Sequence, residues 1–347
     1  NRRIHKLFHF FLLNREEGKK AREYLERREI DIDTIKRFNL GYVPGGFWLE
    51  KFLKEKGFQE SFLKETGVFS LKNGKLRAMF FDRLMFPIFN YRNECIGFGG
   101  RVLNDEMKPK YLNSPETMIF DKSRNLYGLN YARTSRKNNI ILCEGYMDVI
   151  SLDQHGVCNA VASLGTATTI DQISLLFKNT NRIVFCYDGD SAGRNAAWRA
   201  LTIAIKSLQD GRELSFIFLP PEHDPDTLVR EMGADGFNQY LDKAMSLSDY
   251  IVSELAPKHN LTNDNAKNSF LNEIKQLISA IDAPITKENI VSKVAPLIGW
   301  PIERVKDLLT STANLTTEQK LVDVKTTENN QLKMTNLRLL VAFLIQN

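Results

Sequence analysis

The sequence predicts an α/β protein: a parallel sheet flanked by helices, with a mixed α+β basic N-terminal subdomain and an all-helical C-terminal subdomain. Three observations predict it. Short apolar runs alternate with helical stretches from Asn139 to about Arg230. Ahead of them, between Val68 and Leu103, strand-like runs are separated by Asn/Gly turns. Beyond about Ala234 only helical patterns remain. At 347 residues the chain is long enough for two or three domains. With 43% hydrophobic and 26% charged residues and no apolar stretch that would span a bilayer, it reads as soluble, which excludes a membrane-spanning function.

Up to about Thr66 the pattern is helical and charged, as in "EEGKKAREYLERREIDIDTIKRF", until "GYVPGG" interrupts it. The opening "NRRIHKLFHFFLLNREEGKK" has too short an apolar core, and no small-residue cleavage site, for a targeting segment. It also lacks an initiator Met, so the chain is expected to be a fragment. The runs "GVFS", "RLMFPIFN" and "ECIGFGGRVL" are strands turned by "KNG" and "YRNE". In the polar loop that follows, "SPET" suits a helix start, with Ser114 as cap and Pro115 at the first position.

From Asn139 the strands are "NIILCEG", "CNAVASL", "NRIVFCYDGD" and "LSFIFLP". Helices begin near Tyr146, Asp171, Ser191 and Pro225. "NSFLNEIKQLISAI" and "IERVKDLL" are helical, and "TANLTTEQKLVDVKTTENNQ" reads as a linker before a last amphipathic stretch.

Charge is distributed unevenly. Ser70 to Lys137 holds 13 Lys/Arg against 6 Asp/Glu, whereas Asn138 to Arg230 holds 7 against 11. A basic segment beside an acidic one suits a surface for a polyanion next to a pocket for cations. Cys95, Cys143, Cys158 and Cys186 form no C-x-x-C pair. They read as small buried residues in a reducing compartment, the cytoplasm, rather than a zinc site.

Three of the parallel-strand runs end in carboxylates: Glu144 with Asp148, Asp188 with Asp190, and Asp224 with Asp226. In an open α/β sheet, ligands bind outside the carboxyl ends of the strands, where these groups converge. Each group alone is explained by a turn or a helix cap. Six carboxylates at one rim repel one another unless a cation neutralises them, and oxygen donors alone suit Mg²⁺ or Mn²⁺ rather than Zn²⁺.

A Glu after one strand and a D-x-D after a later one resemble the Toprim domain of bacterial primases, topoisomerases and some nucleases. The strings "EGYMDVISL", "VASLGTATT", "YDGDSAGRNAA" and "DPDTLVR", with "FPIFN…GFGGRVL" and "PKYLNSPET" upstream, are similar to the bacterial DnaG-type DNA primase family. Topoisomerases usually carry E-G-D-S where this chain has "EGYMD".

The resemblance implies a core that synthesises short RNA primers on single-stranded DNA from ribonucleoside triphosphates. It implies an N-terminal subdomain over residues 1–125, a Toprim domain over 126–243, a helical subdomain over 244–313, and a linker with the start of the helicase-binding domain over 314–347. Glu144, Asp188 and Asp224 are the implied principal Mg²⁺ ligands, with Asp190 and Asp226 completing the shell. Asp148 would orient a ligand, and Glu144 is alternatively the general base. Arg83, Arg101, Lys110, Tyr111, Asn113 and Lys122 match family positions for nucleic acid or nucleotide, and the small residues of "GFGG" would let a polyanion approach the backbone. Lys108 is a further loop cation. The family's zinc ribbon is absent from these residues, the replicative helicase is an expected partner through a mostly missing C-terminal domain, and the core is expected to be monomeric. Another Toprim enzyme, or a scaffold that only binds DNA or helicase, competes with this reading.

Overall fold

The computed structural model describes residues 1–310 apart from 46, 47, 105 and 166. The expected linker and helicase-binding start at 314–347 lie outside the described residues. The N-terminal lobe comprises α1 (Arg2–Asn14), α2 (Lys19–Arg27), α3 (Ile32–Arg37), β1 (Gly41–Val43), α4 (Trp48–Glu55) and α5 (Glu60–Lys64). It continues through β2 (Phe69–Lys72), β3 (Lys75–Ala78), β4 (Arg83–Phe89), β5 (Cys95–Val102), β6 (Tyr111–Asn113) and the short α6 (Leu129–Ala132). Next come β7 (Asn139–Cys143), α7 (Tyr146–Gln154), β8 (Ala160–Ala162), α8 (Ile170–Phe177), β9 (Arg182–Tyr187), α9 (Ser191–Ala204), β10 (Glu213–Phe218) and α10 (Pro225–Asp242). The chain closes with β11 (Met245–Ser246), α11 (Leu247–Leu255), α12 (Asp264–Ser279), α13 (Pro284–Ile298) and α14 (Ile302–Thr310).

The lobe holds an antiparallel sheet in the order β1-β4-β5-β6 and a β2-β3 hairpin. The second sheet runs β11-β10-β9-β7-β8, parallel throughout except for the edge strand β11. Its central strands are apolar on both faces, as a doubly covered parallel sheet requires. Ile140, Leu142, Ile183, Phe185 and Phe216 face one core, shared with α8, α9 and the helices α11 to α14. Ile141, Cys143, Val184, Cys186 and Ile217 face the other, shared with α7, α10 and residues of α2 and α3 such as Leu25 and Ile35. The N-terminal lobe therefore packs directly against the sheet that carries the carboxylates. No described helix is long and apolar enough to cross a membrane.

Local chemistry sets the helix starts. Thr169 and Gln172 form a capping box at α8, Asp190 Oδ1 accepts from the Gly193 N–H at 2.7 Å, and Asp224 caps α10 ahead of Pro225. The expected helix at "SPET" does not form. Ser114 instead extends the sheet edge: its N–H donates to the Phe98 carbonyl at 2.8 Å, and its Oγ accepts from the Phe98 N–H at 3.0 Å. The three-residue β1 was hidden in a region that reads as helical, because its pairing partner is the distant β4.

Candidate active site

β7, β9 and β10 are adjacent and parallel, so residues beyond their carboxyl ends gather at one rim. Glu144 follows β7 directly, Asp188 follows β9 directly, and Asp224 caps α10 a short loop after β10. Gly189 makes the close packing of these loops possible, since a Cβ there would strike the Leu219 carbonyl. A cleft of about 290 Å³ opens between this rim and the N-terminal lobe. Glu144, Asp148, Asp188 and Asp224 line it from the rim, and Arg28, Arg101, Lys110 and Tyr111 line it from the lobe.

The carboxylates act on one another. Burial, then Asp188 and Asp190, raises the pKa of Glu144, while Arg199 opposes the shift. Burial, then Asp224 and Asp190, raises Asp188. Burial, then Asp224, with Asp226 and Asp188 adding to it, holds Asp148 well above the usual carboxylate range, although the Gly145 N–H donates to its Oδ2 at 2.9 Å. A cation between these groups would relieve the repulsion, and the donor set is oxygen throughout. Among the described residues, no three His, Cys, Asp or Glu side chains form a ready-made metal cage. That arrangement still fits Mg²⁺, which is commonly held by one or two carboxylates with water and substrate phosphates completing its shell.

The remaining expected residues divide between cleft and support. Asp190 is exposed beside the cleft and spends one oxygen on the cap of α9. Asp226 is fully buried, with Arg28 Nη1 donating to Oδ2 at 2.7 Å and Arg230 Nε donating to Oδ1 at 3.0 Å. Both of its oxygens are engaged by guanidinium groups, and it does not line the cleft. Arg83 is also buried and away from the cleft; its guanidinium donates to the carbonyls of Gly100 and Pro109, each at 3.0 Å. Arg101 lies 4.3 Å over the Tyr24 ring and donates to the Val102 carbonyl at 3.0 Å while lining the cleft. Asn113 donates to the Leu164 carbonyl at 2.7 Å and accepts from the Tyr146 hydroxyl, tying the lobe to the loop after β8. Lys110 and Lys108 are exposed, and of the two only Lys110 lines the cleft. Lys122 sits on the turn against α8, where its carbonyl accepts from Gln172 Nε2 at 2.9 Å, outside the cleft. The "GFGG" glycines do not open the backbone to a polyanion. They make room for side chains: Phe120 against Gly97, the Tyr146 ring against Gly99, and Phe80 with Arg83 against Gly100.

Known proteins show what this arrangement belongs to. The description "DNA primase catalytic core, N-terminal domain" matches residues 8–133, "Toprim-like" matches 141–229, and "DnaB-helicase binding domain of primase" matches 248–303. A solved DNA primase domain from Pseudomonas aeruginosa is 37% identical, with a TM-score of 0.83 over 89% of this chain and 98% of that one. The chain belongs to the DnaG-type bacterial primase family. The Escherichia coli primase catalytic core is 40% identical with a TM-score of 0.80, covering 86% of this chain and 96% of that one. Among full-length primases, that of Legionella pneumophila is 39% identical over 95% of this chain, and that of Escherichia coli K12 is 40% identical over 94%. The chain spans 56% of the length of each, about half of these curated relatives.

Two cations of this primase core escaped the sequence reading. Arg28 lies in a charged helical run with nothing to mark it, and its partner Asp226 is 198 residues away. Arg199 had a usable signal, because it lies on α9, the helix that Asp190 caps. It lines a smaller space of about 250 Å³ on which Glu144 also borders.

Proposed function

We propose that this chain is the RNA polymerase core of a bacterial primase, making short RNA primers on single-stranded DNA from ribonucleoside triphosphates. The observation that carries the reading is the carboxylate rim of Glu144, Asp188 and Asp224 facing Arg28, Arg101 and Lys110 across one cleft. Glu144, Asp188 and Asp224 would hold Mg²⁺, with Mn²⁺ able to substitute and Asp190 acting through water. When bound, the ion lowers the pKa of the attacking 3′-hydroxyl and offsets charge on the transferring phosphoryl group. Arg101 and Lys110 hold the triphosphate and template phosphates against the rim. Tyr111, 38% exposed and edge-on to Tyr146 at 6.0 Å, offers a base a ring face. In place of its role as a ligand, Glu144 is the alternative general base for the hydroxyl proton. Asp148 positions the turn that carries Glu144 through its bond with Gly145.

Asp226 and Arg83 we assign to support rather than to metal or nucleotide. Lys122 and Asn113 we assign to holding the cleft's outer loop. We keep the division at 1–125, 126–243 and 244–313 as a proposal; the matched ranges are 8–133, 141–229 and 248–303, and the last carries the helicase-binding description that was expected over 314–347. The helical subdomain is the proposed helicase contact, on the strength of its match over 248–303. The core works as a cytoplasmic monomer at the replication fork, and zinc belongs to a ribbon elsewhere in full-length relatives. A ribonucleotide-incorporation assay on a single-stranded template, titrated with Mg²⁺, tests the proposal. RNA products that require both template and metal are expected. Metal-dependent DNA cleavage without ribonucleotides would replace this reading with a Toprim nuclease.

A further inference from the structure

The start of α1, the end of α3, the β4–β5 hairpin and α6 enclose a second cleft, of about 820 Å³, which shares no lining residue with the carboxylate cleft. Arg2, Lys6, Arg37 and Arg92 line it against a single carboxylate, Glu94, whose Oε2 accepts from Asn90 Nδ2 at 2.9 Å. Two of the cations are paired with rings. Arg37 lies 5.8 Å from the Tyr131 ring and is oriented by Asp153 at 3.0 Å. Arg92 lies 5.2 Å from the ring of Tyr91, which is 62% exposed at the hairpin tip. His5 borders the cleft and is 7% exposed, with the Asn1 carbonyl accepting from its amide at 3.1 Å. Four cations around an open trough, one of them already paired with Asp153 and two beside aromatic faces, suit a strand of alternating phosphates and bases. A lone phosphate would leave most of this volume and charge unused.

We propose that this cleft is a second anchoring site for single-stranded nucleic acid, separate from the carboxylate cleft. That the strand is template DNA rests on the primase reading; the site itself does not. Lys6 and Arg92 are exposed, so Lys6→Gln/Arg92→Gln leaves the fold intact, which an unchanged melting curve verifies. Fluorescence anisotropy with labelled single strands of about 6 and about 20 nucleotides, over a salt series, is the test. The double variant is expected to bind the longer strand about fivefold or more weakly, with its log–log salt slope reduced by about 1.4. The shorter strand, which can occupy only one cleft at a time, is expected to lose less. An unchanged slope and affinity for the longer strand would overturn the site, as would an equal loss for both lengths. The expected loss in the double variant, together with a wild-type chain that incorporates no ribonucleotide, would keep the site and remove the polymerase reading.

Discussion

Asp224 and Asp226 lie two residues apart, yet the fold gives them opposite surroundings. Asp224 Oδ1 accepts from both the N–H and the hydroxyl of Thr227 at 2.7 Å, leaving its second oxygen for the cleft. Asp226 is sealed between Arg28 and Arg230. Asp226→Asn should therefore cost about 1–3 kcal/mol in urea denaturation and leave Mn²⁺ affinity unchanged. Asp188→Asn should do the reverse, and calorimetric Mn²⁺ titration separates the two. Asp148 adds a pH signature. A carboxyl whose folded-state pKa lies above its unfolded value stabilises the fold only when protonated, an effect complete below the unfolded value and lost as pH rises through the folded one. In EDTA, Asp148→Asn should raise Tm at about pH 8 and change it little near pH 4. A variant less stable than wild type at the higher pH contradicts the repulsion described here.

At the scale of elements, the parallel sheet was legible because β7, β9 and β10 each announce themselves twice, by an apolar run and by a carboxylate at or soon after the strand end. The starts of α7, α9 and α10 at Tyr146, Ser191 and Pro225 follow from that local chemistry. What lay hidden depended on partners far along the chain. Ser114 has the chemistry of a cap, but its bonds to Phe98 in β5 hold it extended. Asp224 and Asp226 look alike in sequence, and only the arrival of Arg28 from the N-terminal lobe tells them apart. The junction after β9 is equally dependent on its neighbour: Gly189 sits against the Leu219 backbone. Gly189→Ala should cost about 1–3 kcal/mol and reduce nucleotidyl transfer further by displacing Asp188. Thermal melting and turnover measured together would show both effects; a neutral substitution would mean the loop has room to shift.

The whole molecule places an acidic sheet rim against a basic lobe, and a shared core beneath fixes the two together. The uneven charge was visible in the sequence, but which cations face the carboxylates was not. Arg83 is buried, Lys122 lies outside the cleft, and Arg28 lines it. If the lobe holds nucleic acid through phosphates, affinity for single-stranded DNA falls steeply with salt. Lys110→Ala then weakens every sequence similarly and lowers the salt slope by about 0.7. Salt-insensitive binding would place the nucleic acid elsewhere. The most direct measurement is templated ribonucleotide incorporation at saturating Mg²⁺ by the wild type, Asp188→Ala and Asp226→Asn side by side. Wild-type synthesis, its loss by a factor of about 100 or more in Asp188→Ala, and its retention in folded Asp226→Asn are the expected results. Undiminished synthesis by Asp188→Ala would contradict the carboxylate rim as the catalytic centre.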